Sequence, residues 1–484
     1  MKGFVRLMAV VVTAAVFVVA CSKDKDSGKI TLDSPAVFFA QAGGSATVGF
    51  TAQNIKTLSA TSKPTGWDEA VVDLAGAMIS VKAPSSEDIE SGDAVKTGSF
   101  SFTGYTPGGT LVSATLFAGI VTTKDISAEV ANSYIVTEPE TNYLIDATRK
   151  GDGSQLATSY VDVVWQTASG FVQYADFEDG KASFYIGADS DDATKIKQGN
   201  AVIGAYDADG ELIWSWHIWA TDYDPDAEGG TVDFNGYTLM NRNLGALAND
   251  NSTTDKILAS YGLYYQWGRK DPFPYPALAT DAYTQAPTVY APGFEYAESN
   301  PRTSGTESPY DVMTLEWATA HPTTYMDGVF YEDWEEWASV ADWLYVHHPN
   351  LWGNVTTGKN NISRTSHKSI YDPCPPGWKV PGAEDFAGIE RIGVSAPYYV
   401  TIRCNSTQTA KIPLGGTFYE GRYDRNGSLG RLYTNAPYYL HWRDSTGVFH
   451  DVACTSILFD TSNYPPFVNT TDFYRYAANP VRCI

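Results

Sequence analysis

Basic residues are scarce in this chain: 33 Lys and Arg stand against 56 Asp and Glu, a formal net charge of −23. That excess argues against nucleic acid and anionic headgroups as partners, because like charges repel. Cysteine is sparse, five in 484 residues, and no C-x-x-C pair occurs. A four-cysteine zinc site normally uses such pairs. Seven histidines are scattered without H-E-x-x-H, and there is no G-x-S-x-G or glycine-rich phosphate loop. Neighbouring carboxylates such as Glu332-Asp333 and Glu335-Glu336 are ordinary in so acidic a chain. Glycoside hydrolysis needs two carboxyls placed across a bound sugar. These absences set the expectation of a non-catalytic protein with no metal and no cofactor. Beyond residue 19 there is no second long apolar run, no heptad and no solenoid period.

The one apolar run is Leu7 to Val19, preceded by Lys2 and Arg6. It is short for a membrane span, which needs roughly 20 residues, and it fits the h-region of a secretory signal. Val18-Val19-Ala20-Cys21 resembles a bacterial lipobox, with Val18 where Leu is usual. That resemblance implies cleavage after Ala20 and lipidation of Cys21. Several acyl chains together give stable anchoring, each buried CH₂ contributing about 0.8 kcal/mol. Ser22-Lys23-Asp24-Lys25-Asp26 resembles the charged tag that sends Bacteroidota lipoproteins to the outer face of the outer membrane. Residues 1–20 are thus read as signal peptide and 21–30 as tether. Removing the signal takes away Lys2 and Arg6 and leaves 31 basic against 56 acidic residues.

Residues 31–123 read as a small β-sandwich. ATVGFTA (46–52), MISVKA (78–83) and GSFSFTG (98–104) alternate, and LVSATLFAGIV (111–121) places Val112, Leu116 and Ile120 on one face. The pattern resembles the Ig-like spacer modules of Bacteroidota surface proteins. Residues 124–235 read as a second β-sandwich with hairpin turns at Asp179-Gly180 and Asp209-Gly210, pairs suited to positive φ. After the second turn Trp214, Trp216 and Ile218 share one face, and Ile213, His217 and Trp219 the other. Two apolar faces predict a strand covered on both sides, with the next domain on the far side.

From residue 236 five ordered motifs occur: MNRNLGA (240–246), YGLYYQWGRKDPF (261–273), YDPCPPGWKVP (371–381), IPLGG (412–416) and PVRCI (480–484). They resemble the Fibrobacter succinogenes major paralogous domain, found in Bacteroidota surface and fimbrillin-associated proteins. The resemblance implies a loop-rich α+β C-type-lectin-like domain over 236–484, related to the formylglycine-generating-enzyme fold, and no established activity. The fold class expected is therefore multidomain, with N-terminal all-β Ig-like sandwiches followed by that domain. Physically, the motifs read as structure. Tyr264, Tyr265 and Trp267 fill a core, Arg269-Lys270-Asp271-Pro272 form an ion-paired corner, and Gly382 to Phe386 open a helix.

Cys374, Cys404, Cys454 and Cys483 lie in this last domain. Four cysteines in an exported chain predict disulfides and allow three connectivities. Lectin-like folds imply an outer pair, Cys374–Cys483, and an inner pair, Cys404–Cys454. The calcium-binding tripeptides of such lectins, Glu-Pro-Asn or Gln-Pro-Asp with Trp-Asn-Asp, are absent from the domain. A hairpin turning at Ser445-Thr446 places His441 opposite His450 and Trp442 opposite Phe449, an ordinary cross-strand pair. YEDWEEWASVADWLYVHH (331–348) reads as a helix with Trp334, Trp337, Ala341 and Leu344 inward.

The resemblance puts the variable surface at 417–444. Tyr423, Asp424, Arg425, Asn426, Tyr438, Tyr439 and Trp442 are the candidate ligand residues there. Aromatic rings stack on sugars while Asp, Asn and Arg bond hydroxyls; the same residues also suit core packing and a turn at Asn426-Gly427. The expectation is a surface lipoprotein of the outer membrane that binds or adheres to a glycan or surface protein. The rivals are a structural subunit of the envelope or fimbriae and an unrecognised carbohydrate-active enzyme.

Overall fold

The alternation in GSFSFTG becomes the strand Thr97–Tyr105, which buries Phe100, Phe102 and Gly104 and turns the intervening residues outward. The computed structural model describes residues 26–274 except 235 and 251. Beyond them it describes 283–284, 290–291, 294–295, 314–326, 342–344, 346, 348–353, 367–386, 390–395, 399–419, 422–424, 427–443, 449–460 and 468–484. The described residues are mostly β, and their three α-helices, Ser86–Glu90, Thr254–Ser260 and Leu315–Ala320, are short. None is long and apolar enough to cross a membrane.

The first sandwich faces the sheet Lys29–Leu32, Ser45–Gln53, Met78–Lys82, Val71–Asp73 against the sheet Ala36–Phe39, Leu111–Ile120, Thr97–Tyr105, Thr57–Ser62. Its core holds Phe39, Phe50, Trp67, Ile79, Phe100, Phe102 and Leu116. Trp67 Nε1 donates to the Val95 carbonyl at 2.8 Å, so the indole brings no unmet donor inside. Residues 116–119 are buried on both faces rather than one. The reason is the next module: Phe117 stacks on Tyr174 at 5.4 Å and packs against Tyr185.

The two ends of this sandwich differ. At one end Tyr105 faces Leu111 across the hairpin, and the Asp26 carboxylate is bound to its tip. Asp26 accepts from the Thr106 hydroxyl (2.6 Å), the Thr110 hydroxyl (2.8 Å) and Gly108 N (3.0 Å). These bonds, led by Thr106, hold its pKa below the ordinary aspartate value. At the other end Thr97 faces Gly119, and Lys96 pairs with Glu140 of the second sandwich at 2.6 Å. Nine residues of strand separate the ends, roughly 26 Å at 3.3 Å per residue.

The second sandwich packs Val172–Glu178, Lys181–Ile186, Thr141–Asp146 and Thr122–Asp125 against a six-stranded sheet. That sheet runs Ser133–Val136, Leu212–Ala220, Gly199–Tyr206, Tyr160–Gln166, Tyr290–Ala291, Phe294–Glu295, so its edge comes from beyond residue 236. Asp179 and Gly180 both take positive φ, 50° and 79°. At the other turn only Gly210 does. There Asp207 closes a longer loop, its Oδ1 accepting from Asp209 N and Glu211 N at 3.0 Å each. The expected two-residue turn is thus replaced by an aspartate-closed one. In Leu212–Ala220, Trp214, Trp216 and Ile218 enter the sandwich core, while Trp219 enters the core of the C-terminal half with Val202 and Trp165.

In that half, Tyr264–Gln266, Ala478–Pro480, Thr417–Tyr419, Arg422–Asp424 and Tyr283–Thr284 form one sheet. Leu429–Arg443, Phe449–Asp460 and Val468–Tyr474 form another, and Glu390–Ser395, Tyr399–Arg403 and Thr409–Pro413 a third. The expected helix at Gly382 is a single 3₁₀ turn, Ala383–Phe386, closed by Asp385 Oδ2 accepting from Gly382 N at 2.7 Å. Phe386 does turn inward. Most of the expected 331–348 helix lies outside the described residues; its described end, Asp342 to Leu344, is not helical.

The sequence motifs meet in this half. Met240 N donates to Cys483 O and Leu244 N to Val481 O, so PVRCI lies along MNRNLGA. Asp372 accepts from Cys374 N (2.8 Å), Val380 N (2.9 Å) and Lys368 Nζ (3.1 Å), pinning the proline-rich loop from inside. Cys374 and Cys483 are joined as a disulfide across 109 residues. Cys404 and Cys454 are not joined; both are buried thiols. This corrects the inner pair. Cys404 ends the Tyr399–Arg403 strand and packs with Phe234 and Leu239. Cys454 sits mid-strand on a different sheet, packed with Trp267 and Tyr433, its Sγ donating to Phe473 O at 3.4 Å. The two thiols thus belong to different hydrophobic clusters, and a disulfide needs its two cysteines side by side in one.

Candidate functional site

The residues expected to bind ligand fall on two sheets. Tyr423 and Asp424 lie on Arg422–Asp424, paired with Thr417–Tyr419 and Tyr283–Thr284. Tyr438, Tyr439 and Trp442 lie on Leu429–Arg443 of the neighbouring sheet. Arg425 and Asn426 lie outside the described residues. Gly427 follows with φ 87°, which a turn at that point requires. The hairpin register is one residue off the expected one: His441 faces Asp451, Trp442 faces His450 and Arg443 faces Phe449. The two histidines are therefore not directly opposed. A register shift between Tyr438 and His441 accounts for the difference, since one extra residue moves every later pair. Trp343 is buried, and its Nε1 donates to Trp267 O at 2.8 Å.

The described residues include two recesses. One is lined by Gly268, Arg269, Lys270, Asp271, Leu315, Thr319, Trp343 and Tyr371. Its charges are already engaged. Arg269 donates to the carbonyls of Thr324 (2.6 Å), His321 (3.0 Å) and Ala318 (3.2 Å), capping the C-terminal end of the Leu315–Ala320 helix. Lys270 Nζ donates to Asp271 Oδ1 (2.7 Å) and to the Ser215 carbonyl and hydroxyl. Burial lowers the Lys270 pKa, and Asp271 opposes that shift. The expected ion-paired corner is there, and it welds the second sandwich to the C-terminal half.

Beside it His217 Nε2 lies 2.9 Å from Asn200 Oδ1, and Nδ1 lies 3.2 Å from Ser133 Oγ. Asn200 Nδ2 donates to Gly245 O at 3.0 Å, so its oxygen faces the imidazole and Nε2 carries the proton. Full burial pushes the His217 pKa down to about 3. Ser133, Asn200 and Ser215 had no sequence signal beyond polar letters in apolar company. Their partners are supplied by a domain distant in sequence.

The second recess is shallow, and its lining residues are half-buried or buried. Asn249, Asp250, Ile257, Ser260, Tyr399, Lys411 and Pro413 line it. Tyr399 is half-buried, with Lys411 Nζ 5.3 Å from its ring centre. Asp250 accepts from Lys256 Nζ at 2.7 Å and from Ser252, and these bonds, led by Lys256, lower its pKa to about 2. The groove thus presents an aromatic ring, a cation, an ionised carboxylate and a neutral amide within one shallow surface. That set can stack a sugar ring and bond its hydroxyls, or hold a short polar peptide. It has no clustered metal ligands; no group of three His, Cys, Asp or Glu able to hold an ion occurs among the described residues. The sequence reading missed this groove because the Thr254–Ser260 helix and the Tyr399–Arg403 hairpin are about 140 residues apart.

No family model matches the chain, and no curated protein does. Among solved structures, SGBP-B of the Bacteroides ovatus mixed-linkage glucan utilization locus, in complex with a mixed-linkage heptasaccharide, is 10% identical with a TM-score of 0.12. The match covers 38% of this chain and 43% of that one. The Yersinia pseudotuberculosis adhesin InvE is 9% identical with a TM-score of 0.14, over 48% of this chain and 79% of that one. The tandem Ig repeats of Dlar are 12% identical with a TM-score of 0.15, over 40% and 97%. The chain spans less than half the length of the first of these. Likenesses this slight define neither a ligand nor an activity for it.

Proposed function

We propose that this chain is a Bacteroidota cell-surface lipoprotein, anchored in the outer membrane at Cys21, whose C-terminal domain binds a glycan or a surface protein without catalysis. In this reading the domain is a lectin-like Fibrobacter major paralogous domain, and the two sandwiches are its stalk. The observation that carries the reading is the polarity of the first sandwich. The chain enters at the tip stapled by Asp26, the second sandwich is packed at the opposite end, and the C-terminal half shares a core with that second sandwich. A tether at one end of the first sandwich and the rest of the chain packed from its other end suit a protein that presents a binding surface away from a membrane.

The test is a broad array of host, mucin and plant glycans, probed with the whole chain from Ser22 onward. The whole chain is needed because Trp219, Val202 and Trp165 of the second sandwich share a core with the C-terminal half. Tyr399→Ala and Trp442→Ala separate the groove from the last hairpin, and EDTA tests for a metal. Specific binding lost in either variant establishes the role and its place. A blank array with a folded chain turns the reading toward envelope or fimbrial assembly. Release of oligosaccharide products from any polysaccharide overturns the non-catalytic reading.

A further inference from the structure

The tip of the first sandwich exposes two large side chains to solvent. Tyr105 is 45% and Leu111 58% exposed, and they face each other as the last pair of the hairpin. Val71, Met78 and Val95 of this sandwich are exposed as well, at 66%, 39% and 42%, but none of them lies in this hairpin. The turn between them, Thr106 to Thr110, is the one that grips Asp26. The adjoining turn at residues 53–57 lies on the same end: Lys56 N donates to Tyr105 O, Thr57 pairs with Tyr105, and Asn54 Nδ2 donates to Ser27 O.

The charge at this end differs from the rest of the chain. Residues 53–57 and 105–111 contain Lys56 and no Asp or Glu. Asp26 is the one carboxylate built into the tip, and its oxygens are taken up by three donors. Over the whole chain acids outnumber bases 56 to 33. An acidic surface is repelled by anionic headgroups, and these two turns add no carboxylate of their own to that repulsion.

The covalent geometry brings the tip to a bilayer. Asp26 is five residues from Cys21. Five residues span at most about 18 Å even fully extended. If Cys21 is embedded by its acyl chains, the hairpin tip cannot lie farther than that from the headgroups. Tyr is suited to the interface, where its ring is apolar and its hydroxyl wet, and Leu to the acyl boundary just beneath.

We propose that Tyr105 and Leu111 form a membrane-contact foot, seated on the headgroup layer of the bilayer that holds the lipid anchor. The proposal rests on lipidation of Cys21. Asp26 then acts as the ankle: it stops the tether from swivelling, so the foot, the two sandwiches and the C-terminal half stand in a set orientation. Burial of two such side chains is expected to raise vesicle affinity about tenfold over a chain lacking them.

The experiment separates the foot from the anchor. Mass measurement of Cys21 in the protein isolated from its own membrane reads the anchor. For the foot, the chain from Ser22 onward is tethered by an N-terminal hexahistidine tag to nickel-chelating phosphatidylethanolamine–phosphatidylglycerol vesicles containing brominated lipid, which quenches tryptophan at contact. Leu111→Trp is compared with Val71→Trp, at a site 66% exposed elsewhere on the same sandwich. Quenching of the first and not the second is expected, with Tyr105→Ser and Asp26→Ala in the Leu111→Trp background each reducing it. Equal or absent quenching overturns the foot while leaving the anchor intact. An unacylated Cys21 overturns both. Shielding of Leu111→Trp in solution, accompanied by dimerisation, also overturns the foot, because the patch would then meet a second copy.

Discussion

Arg482 donates from Nε to the side-chain oxygen of Asn243 at 2.9 Å, joining residues 239 positions apart inside the C-terminal core. Asn243 in turn donates to Tyr261 O at 2.9 Å. One amide therefore ties PVRCI and MNRNLGA to YGLYYQW. The Arg482 side chain is fully buried, its two terminal nitrogens meet no acceptor among the described residues, and burial lowers its pKa to about 10.

The asymmetry of this pair is testable. Asn243→Leu removes the acceptor and leaves a buried cation unmet, at an expected cost of about 3 kcal/mol. Arg482→Met removes the cation itself and is expected to cost less than about 1.5 kcal/mol. Urea midpoints at constant slope measure both. A larger loss for Arg482→Met would mean that the arginine stabilises the fold in its own right.

The disulfide makes a second prediction. Cys374–Cys483 closes a separation of 109 residues, for which chain entropy gives about 4–5 kcal/mol. Cys374→Ser is expected to lower the melting temperature of the oxidised chain and to abolish its dependence on reductant. Calorimetry with and without reductant checks this.

Thiol counting tests the correction at Cys404 and Cys454. Burial raises the Cys404 pKa to about 11 and that of Cys454 further. At pH 8 the folded chain from Ser22 onward should show no reactive thiol to a disulfide-exchange reagent. Unfolded without reductant it should show two. A count of zero after unfolding would restore the inner disulfide.

His217 makes stability fall in acid. Its folded pKa, about 3, lies below the ordinary value of 6.5. The folded state therefore keeps the ring neutral while the unfolded chain binds a proton. The contribution is fully present above pH 6.5 and is lost progressively between pH 6.5 and 3, approaching about 4 kcal/mol. His217→Gln should unfold with a flatter pH dependence over that window than the parent, as read by urea titrations at each pH. Equal slopes would mean that the imidazole is charged in the folded state or is solvated there.

What could be read in advance followed local periodicity. A strand apolar on both faces, WSWHIW, has to be covered on both sides, and Trp216 and Trp219 enter two different cores. Asp179-Gly180 forms its turn because two adjacent positive φ values have few other solutions. Where a side chain has to close a longer loop, as Asp207 does, the dipeptide signal misleads. The hairpin register failed for a related reason: a single irregularity near Tyr438 shifts all later pairs, and nothing in the letters marks it.

By itself the sequence determined the β character of strands such as Thr97–Tyr105 and Leu212–Ala220, the turn at Asp179-Gly180 and the burial of Trp214, Trp216 and Trp219. These depend on two-residue periodicity, on turn chemistry and on apolar area, all of which are local. Only the tertiary structure decided that Cys404 and Cys454 stay apart, that Lys270 is met by Ser215 of another module, that His217 is met by Asn200 and Ser133 from two other strands, and that Tyr399 and Lys411 share a groove with Asn249 and Asp250. Those outcomes depend on which distant segments share a sheet or a core, and long-range pairing is chosen by the packing of the whole chain rather than by any stretch of it.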